Sequence, residues 1–102
     1  MTKHKYVLVE WLDACSWSDW RSEKDALLKQ NPLIQTVGML LEMSDRRVCV
    51  ALNYEAGDDE VSDVVMIPRA MVERVVELRE GNYLYASKED TKEQEKERSV
   101  KK

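Results

Sequence analysis

Apolar and polar positions alternate from near the start of the chain. In "KYVLVEWL", Val7, Val9 and Trp11 fall on one side of an extended segment, and Tyr6, Leu8, Glu10 and Leu12 on the other. Both sides are mostly apolar, which predicts a strand covered at least in part on both faces. A polar loop, "DACSWSDW", follows. In "SEKDALLKQNP", Ser22 is a good helix N-cap and Asp25 three residues on favours the helix dipole. Asn31-Pro32 ends the helix, because the residue before a proline avoids helical geometry. A helix of about two turns does not stand alone, so Leu27 and Leu28 are expected to pack on something.

"LIQTVGMLLEM" predicts a long second strand with Gly38 inside it, where glycine marks a bulge, a bend or a close backbone approach. "SDR" is a tight turn. "RVCVALNYE" is a third strand, with Val48, Val50, Leu52 and Tyr54 on one side and Cys49, Ala51 and Asn53 on the other. Glycine in one partner and small residues in the other predict a strongly curved hairpin. "AGDDE" is a loop and "VSDVVMI" a fourth strand. "VERVVEL" has two readings. Pro68 and Gly81 would frame a helix with Met71, Val75 and Leu78 on one stripe. A strand would put Val72, Val76 and Leu78 on a face with Arg74, and the three valines favour the strand. Five short, bent strands with one short helix between the first two predict a mainly β fold, a small barrel whose closure removes exposed edges.

Composition changes this picture in three ways. At 102 residues the chain holds one domain, placed at 1–87, because a second core would be too small. From Lys88 onward it reads "KEDTKEQEKERSVKK", a tail at 88–102 that buries too little to offset its ordering entropy, so frayed helix or disorder is expected. The net charge is −4. The tail carries six Lys/Arg against five Asp/Glu, so residues 1–87 hold −5, which disfavours binding nucleic acid mainly through phosphates. Cys15 and Cys49 are too few for a disulfide scaffold, and "MTKHKYVLVEW" is neither a signal peptide nor a membrane span, so a cytoplasmic protein is expected.

"VGMLLEM" and "RRVCVAL", followed by "VVMIPRAMVERVVEL", resemble the two halves of an Sm-like barrel. Gly38 and Leu40 fall on the glycine and leucine of that family's first motif. Ile67 falls on the isoleucine before its tight turn, and Val72 and Val75 on its closing pair. The stretch from "VEWLDA" to the last strand is also similar to small uncharacterised bacteriophage proteins of Sm-like or SH3-like appearance. The resemblance covers about residues 5–80 and implies a five-stranded Sm-like or SH3-like barrel. It also implies a homo-oligomer, with a ring as one form, and a host-cell cytoplasmic location if phage-encoded. Ser44 stands where the Sm family has its uridine-reading aspartate, with Asp45 one residue late. Val48 replaces the asparagine, and Pro68-Arg69 replaces the Arg-Gly dipeptide. The helix also lies between strands one and two instead of before the first. Uridine-tract binding is therefore not implied.

Trp11 shares a face with Val7 and Val9, so it is expected in the core with its N–H seeking a partner. Trp17 and Trp20 lie three apart in a polar loop. If "SWSDW" is one turn of helix they face the same way; they either cap an open end of the barrel, pack under the Ser22 helix, or are contacts for a partner or a base, with Arg21 beside Trp20 in support of a ligand. Arg46 and Arg47 at a hairpin tip and Arg69 after Ile67 can meet at one rim as a local anion site; otherwise they are solvated turn charges. Asp58, Asp59, Glu60 and Asp63 lack the ligand spacing of a calcium loop and are read as solvated. No nucleophile elbow, phosphate loop, Cys-x-x-Cys or His cluster is present, so no enzyme, cofactor or metal centre is expected. The expected function is a non-catalytic phage accessory protein that self-associates and binds a protein partner. The alternative is an RNA- or nucleotide-binding protein, including one that sequesters nucleotide signals.

Overall fold

The computed structural model describes residues 4–85. The tail assigned to 88–102 lies outside the described residues. Five strands form one antiparallel sheet: β1 (Tyr6–Leu12), β2 (Leu33–Met43), β3 (Arg47–Glu55), β4 (Glu60–Pro68) and β5 (Val72–Leu78). One short helix, α1 (Glu23–Leu28), lies between β1 and β2, and a 3-10 turn at Arg69–Met71 links β4 to β5. The segment from Val72 is thus a strand, as its valines favour. Among the described residues no helix is long and apolar enough to cross a membrane.

The strand order is β4-β3-β2-β1-β5. The sheet curls, because Val7 and Val9 of β1 pack with Val48 and Val50 of β3, Ile67 of β4 and Val72 of β5 in one cluster. Val9, Val48 and Val50 are completely buried, each contributing roughly 1.5–3 kcal/mol of apolar transfer. The other face is covered at its centre, where Met39, Cys49 and Ala51 are also buried. The curl depends on Gly38. A Cβ there would sit 2.7 Å from the Ala51 carbonyl oxygen, so no side chain fits while β2 and β3 lie this close. Three residues on, the β2–β3 register shifts between Leu40 and Glu42, which bends the hairpin further.

The closed barrel expected from the sequence is not what the ladders form. β4 and β5 lie at opposite ends of an open sheet. Pro68 has no N–H to continue pairing. The following turn, held by Arg69 N–H donating to the Arg46 carbonyl at 2.8 Å, delivers β5 to the free side of β1. A second difference lies within β5. Trp11 pairs with Val72 but Glu10 with Arg74, so Glu73 is an extra residue in a bulge. The bulge turns Val72 to the core side with Val75, away from the face with Arg74, Val76 and Leu78 on which alternation had placed it.

Trp11 behaves as expected. It packs on the core cluster and its indole Nε1–H donates to Thr36 Oγ1 at 3.0 Å.

Candidate functional site

The residues singled out from the sequence separate into two places. Trp17, Trp20 and Arg21 stand on the excursion between β1 and β2. Its base is tied where Asp13 N–H donates to the Pro32 carbonyl and Asn31 Nδ2 donates to the Asp13 carbonyl, both at 2.9 Å. Ser22 caps α1 as its residue type predicts, Oγ accepting from Asp25 N–H at 3.1 Å. Beyond that the helix buries nothing. Leu27 is 85% exposed and Leu28 71%, which corrects the expectation that they pack. A six-residue helix held only at its cap and base has no second layer to lie against. Residues 13–21 are irregular, so Trp17 and Trp20 do not share a helical face. The Arg21 guanidinium lies 4.9 Å from the centroid of Trp17, not on Trp20, and its Nε is 3.3 Å from Asp19. Trp17 is 36% exposed with that cation over its ring, whereas Trp20 is fully exposed.

The arginines do meet at one rim, in part. Arg47 pairs with Pro68 across β3–β4, and the Arg46 carbonyl accepts from Arg69 N–H, so the hairpin tip and the turn before β5 adjoin. Their charges are not equivalent. Arg47 is spent on Glu42, with Nε at 3.3 Å and Nη2 at 3.1 Å from Oε1, and Nη1 lies 3.2 Å from Met66 Sδ. These hydrogen bonds hold Glu42 below the usual carboxylate range, with Ser44 Oγ–H adding to the effect, and raise Arg47 further. No ion pair among the described residues occupies Arg46 or Arg69.

The structure adds a feature with no local signature in the sequence. Between β1, the end of β2 and the turn into β5 lies a groove of about 290 Å³, lined by Lys5, Val7, Leu40, Met43, Arg69, Val75 and Glu77. Lys5 Nζ and Arg79 Nε each lie 3.5 Å from a Glu77 carboxylate oxygen. Apart from Arg69, its residues looked like ordinary strand positions; only their assembly from distant parts of the chain makes a site. The two sheet edges are a further candidate surface. β4 and β5 each have one neighbour, so the outer N–H and C=O groups of both are open to another strand.

The acidic group serves its own hairpin. Tyr54 O–H donates to Asp59 Oδ1 at 2.8 Å, which raises the tyrosine above its usual range with help from burial. Asn53 Nδ2 donates to Asp63 Oδ2 at 2.7 Å, and Glu55 accepts from Gly57 and Asp58 N–H. Among the described residues no cluster is arranged to hold a metal ion.

In comparison with known proteins, the chain matches no family model, no curated protein and no solved structure. The class that the geometry itself defines is a mainly β protein of one curled, open, five-stranded antiparallel sheet with a short helical excursion.

Proposed function

We propose that the protein is a non-catalytic, self-associating binding protein, whose copies join by pairing β5 of one with β4 of the next. The observation that carries this is the pair of free, pattern-matched edges at opposite ends of one sheet. An antiparallel register that keeps core sides together sets Val75 opposite Ile67, Val76 opposite Met66 and Leu78 opposite Val64, with Arg79 opposite Asp63. Sliding it by two residues sets Glu77 against Asp63, like charges facing each other, which is unfavourable. Such an interface is heterologous and closes as a ring if the rotation allows. In this view the Sm-like or SH3-like barrel is completed between copies, and an accessory role in a bacteriophage fits a protein of this kind. Trp20, Leu27 and Leu28, which the fold leaves in solvent, are the anchors offered to a protein partner.

Sedimentation velocity tests the pairing. The wild-type chain is expected to sediment above monomer mass, Arg79→Glu to fall to monomer, and Asp63→Lys with Arg79→Glu to recover. A wild-type monomer at all concentrations refutes it.

The nucleotide- or RNA-binding reading draws on the junction of Arg46 with Arg69. It is the weaker one, because Arg47 is neutralised by Glu42 and Arg21 already covers Trp17. It requires affinity for single-stranded RNA that falls steeply with salt.

A further inference from the structure

In the groove between β1, the end of β2 and the turn into β5, an apolar surface meets an unmatched cation. Buried Val7 is its floor, and Leu40 and Val75 flank it on the core side of the sheet. Met43 joins them because of the bulge in β2. The register shift makes Leu41 an extra residue, so Leu40, opposite Val50, and Met43, opposite Val48, lie on one side of the strand instead of two. Met43 is 58% exposed, an apolar side chain left in solvent at the open end. Three charged residues complete the lining: Lys5, Arg69 and Glu77. Glu77 has one carboxylate oxygen 3.5 Å from Lys5 Nζ and the other 3.5 Å from Arg79 Nε. Arg69 has no anionic partner among the described residues, and its backbone is fixed by the N–H that donates to the Arg46 carbonyl. Two cations against one carboxylate leave the groove a single positive charge, although the chain carries −4 overall.

We propose that this groove binds a small monoanionic amphiphile: a carboxylate carrying one short apolar chain. The chain lies along Val7, Leu40, Met43 and Val75, and the carboxylate accepts from the Arg69 guanidinium at the rim. Volume sets the length of the chain. About 290 Å³ holds roughly ten water-sized groups at about 30 Å³ each, which fits an acid of about eight carbons and is too small for a membrane lipid. Charge sets the head group. One unmatched cation suits one negative charge, whereas a phosphate dianion would bring its second charge toward Glu77. A phosphodiester chain would leave charges unpaired over Val7 and Leu40. An alcohol forgoes the charged contact, and an amine is repelled by Arg69. The ligand leaves the outer edges of β4 and β5 free, so the inference does not depend on copy-to-copy pairing.

The test is an NMR titration of the isotope-labelled full chain with octanoate, octanol, octylammonium and octyl phosphate, each kept below its aggregation limit. Octanoate is expected to shift the amides of Val7, Leu40, Met43 and Val75. It should bind about tenfold more tightly than octanol, as for one charge-assisted hydrogen bond, and octylammonium should bind more weakly still. Arg69→Gln is expected to keep the affinity for octanol and to bind octanoate no better than octanol. Loosening of the fold would weaken both ligands alike and would not remove the preference for the acid. Met43→Glu, at an exposed position, is expected to abolish octanoate binding by setting a carboxylate on the groove wall. The proposal is overturned if no amide of the groove shifts, if acid and alcohol bind equally, or if either variant keeps the full affinity for octanoate. It is also overturned if all the ligands shift mainly Trp20, Leu27 and Leu28, or if octyl phosphate binds the wild type more tightly than octanoate. Sedimentation of the same samples reads the copy-to-copy pairing separately. Acid-selective binding by a monomer upholds the groove and refutes the pairing; pairing without acid selectivity does the reverse.

Discussion

The curled sheet and the excursion between β1 and β2 spend similar residues in opposite ways. In the sheet, Val9, Val48 and Val50 are entirely removed from water and pack across strands that are not neighbours. In the excursion, Trp20, Leu27 and Leu28 are left in solvent, and the contacts that hold it are a cap and two hydrogen bonds at its base. Apolar side chains that stabilise nothing in their own fold cost nothing to remove from it. The contrast therefore divides the molecule into a part that determines stability and a part that is free to contact something else.

That division can be broken most forcefully in the sheet. Ile67→Ala removes a buried side chain where four strands converge and should cost about 2–5 kcal/mol in denaturant unfolding. Gly38→Ala should cost about 1–3 kcal/mol by the same measurement, because the Ala51 carbonyl must move for the new methyl group. A smaller effect is expected from pH. Glu10 bridges three strands, accepting from Arg74 and from Gln35 Nε2, and these hydrogen bonds, Arg74 first, lower its pKa. Glu42 is lowered in the same direction by Arg47. A carboxylate held below its unfolded value stabilises at neutral pH and loses that contribution as pH falls through its folded value. Melting temperature should thus decline below the usual carboxylate range, and Glu10→Gln should flatten part of that decline. Tyr54 acts at the other end: its raised value favours the neutral phenol, so its contribution is lost as pH climbs past the ordinary tyrosine range. Smallest of all, Trp20→Ser, Leu27→Ser and Leu28→Ser should each shift stability by no more than about 0.5 kcal/mol. A larger loss would mean that the excursion packs on the sheet and that the division is false.

The strands were legible because alternation is a local property, and so was the α1 cap, which rests on one side chain and one backbone N–H. Gly38 and the core placement of Trp11 were legible for the same reason. What escaped depends on single residues or on distance. The bulge at Glu73 has no local marker, yet it moves Val72 to the opposite face. Closure follows from the general disadvantage of open edges, but the turn after Pro68 delivers β5 to β1 and leaves the outer edge of β4 without a partner strand. Leu27 and Leu28 are expected to pack on something, but α1 meets no layer that could cover them. Among the candidate contacts, the junction of Arg46 with Arg69 was foreseeable from two adjacent turns. The capture of Arg47 by Glu42 follows from the bent end of β2, and the groove brings together Lys5, Leu40, Arg69 and Val75 from four stretches of chain.

The edges offer the most direct test of the whole account. Hydrogen exchange at single-amide resolution, followed as the protein is concentrated, should show protection rising at outward amides of residues 64–67 and 75–78, with the amides of 13–32 unchanged. Protection that is independent of concentration at both edges, or that appears first around Trp20 and α1, would contradict it.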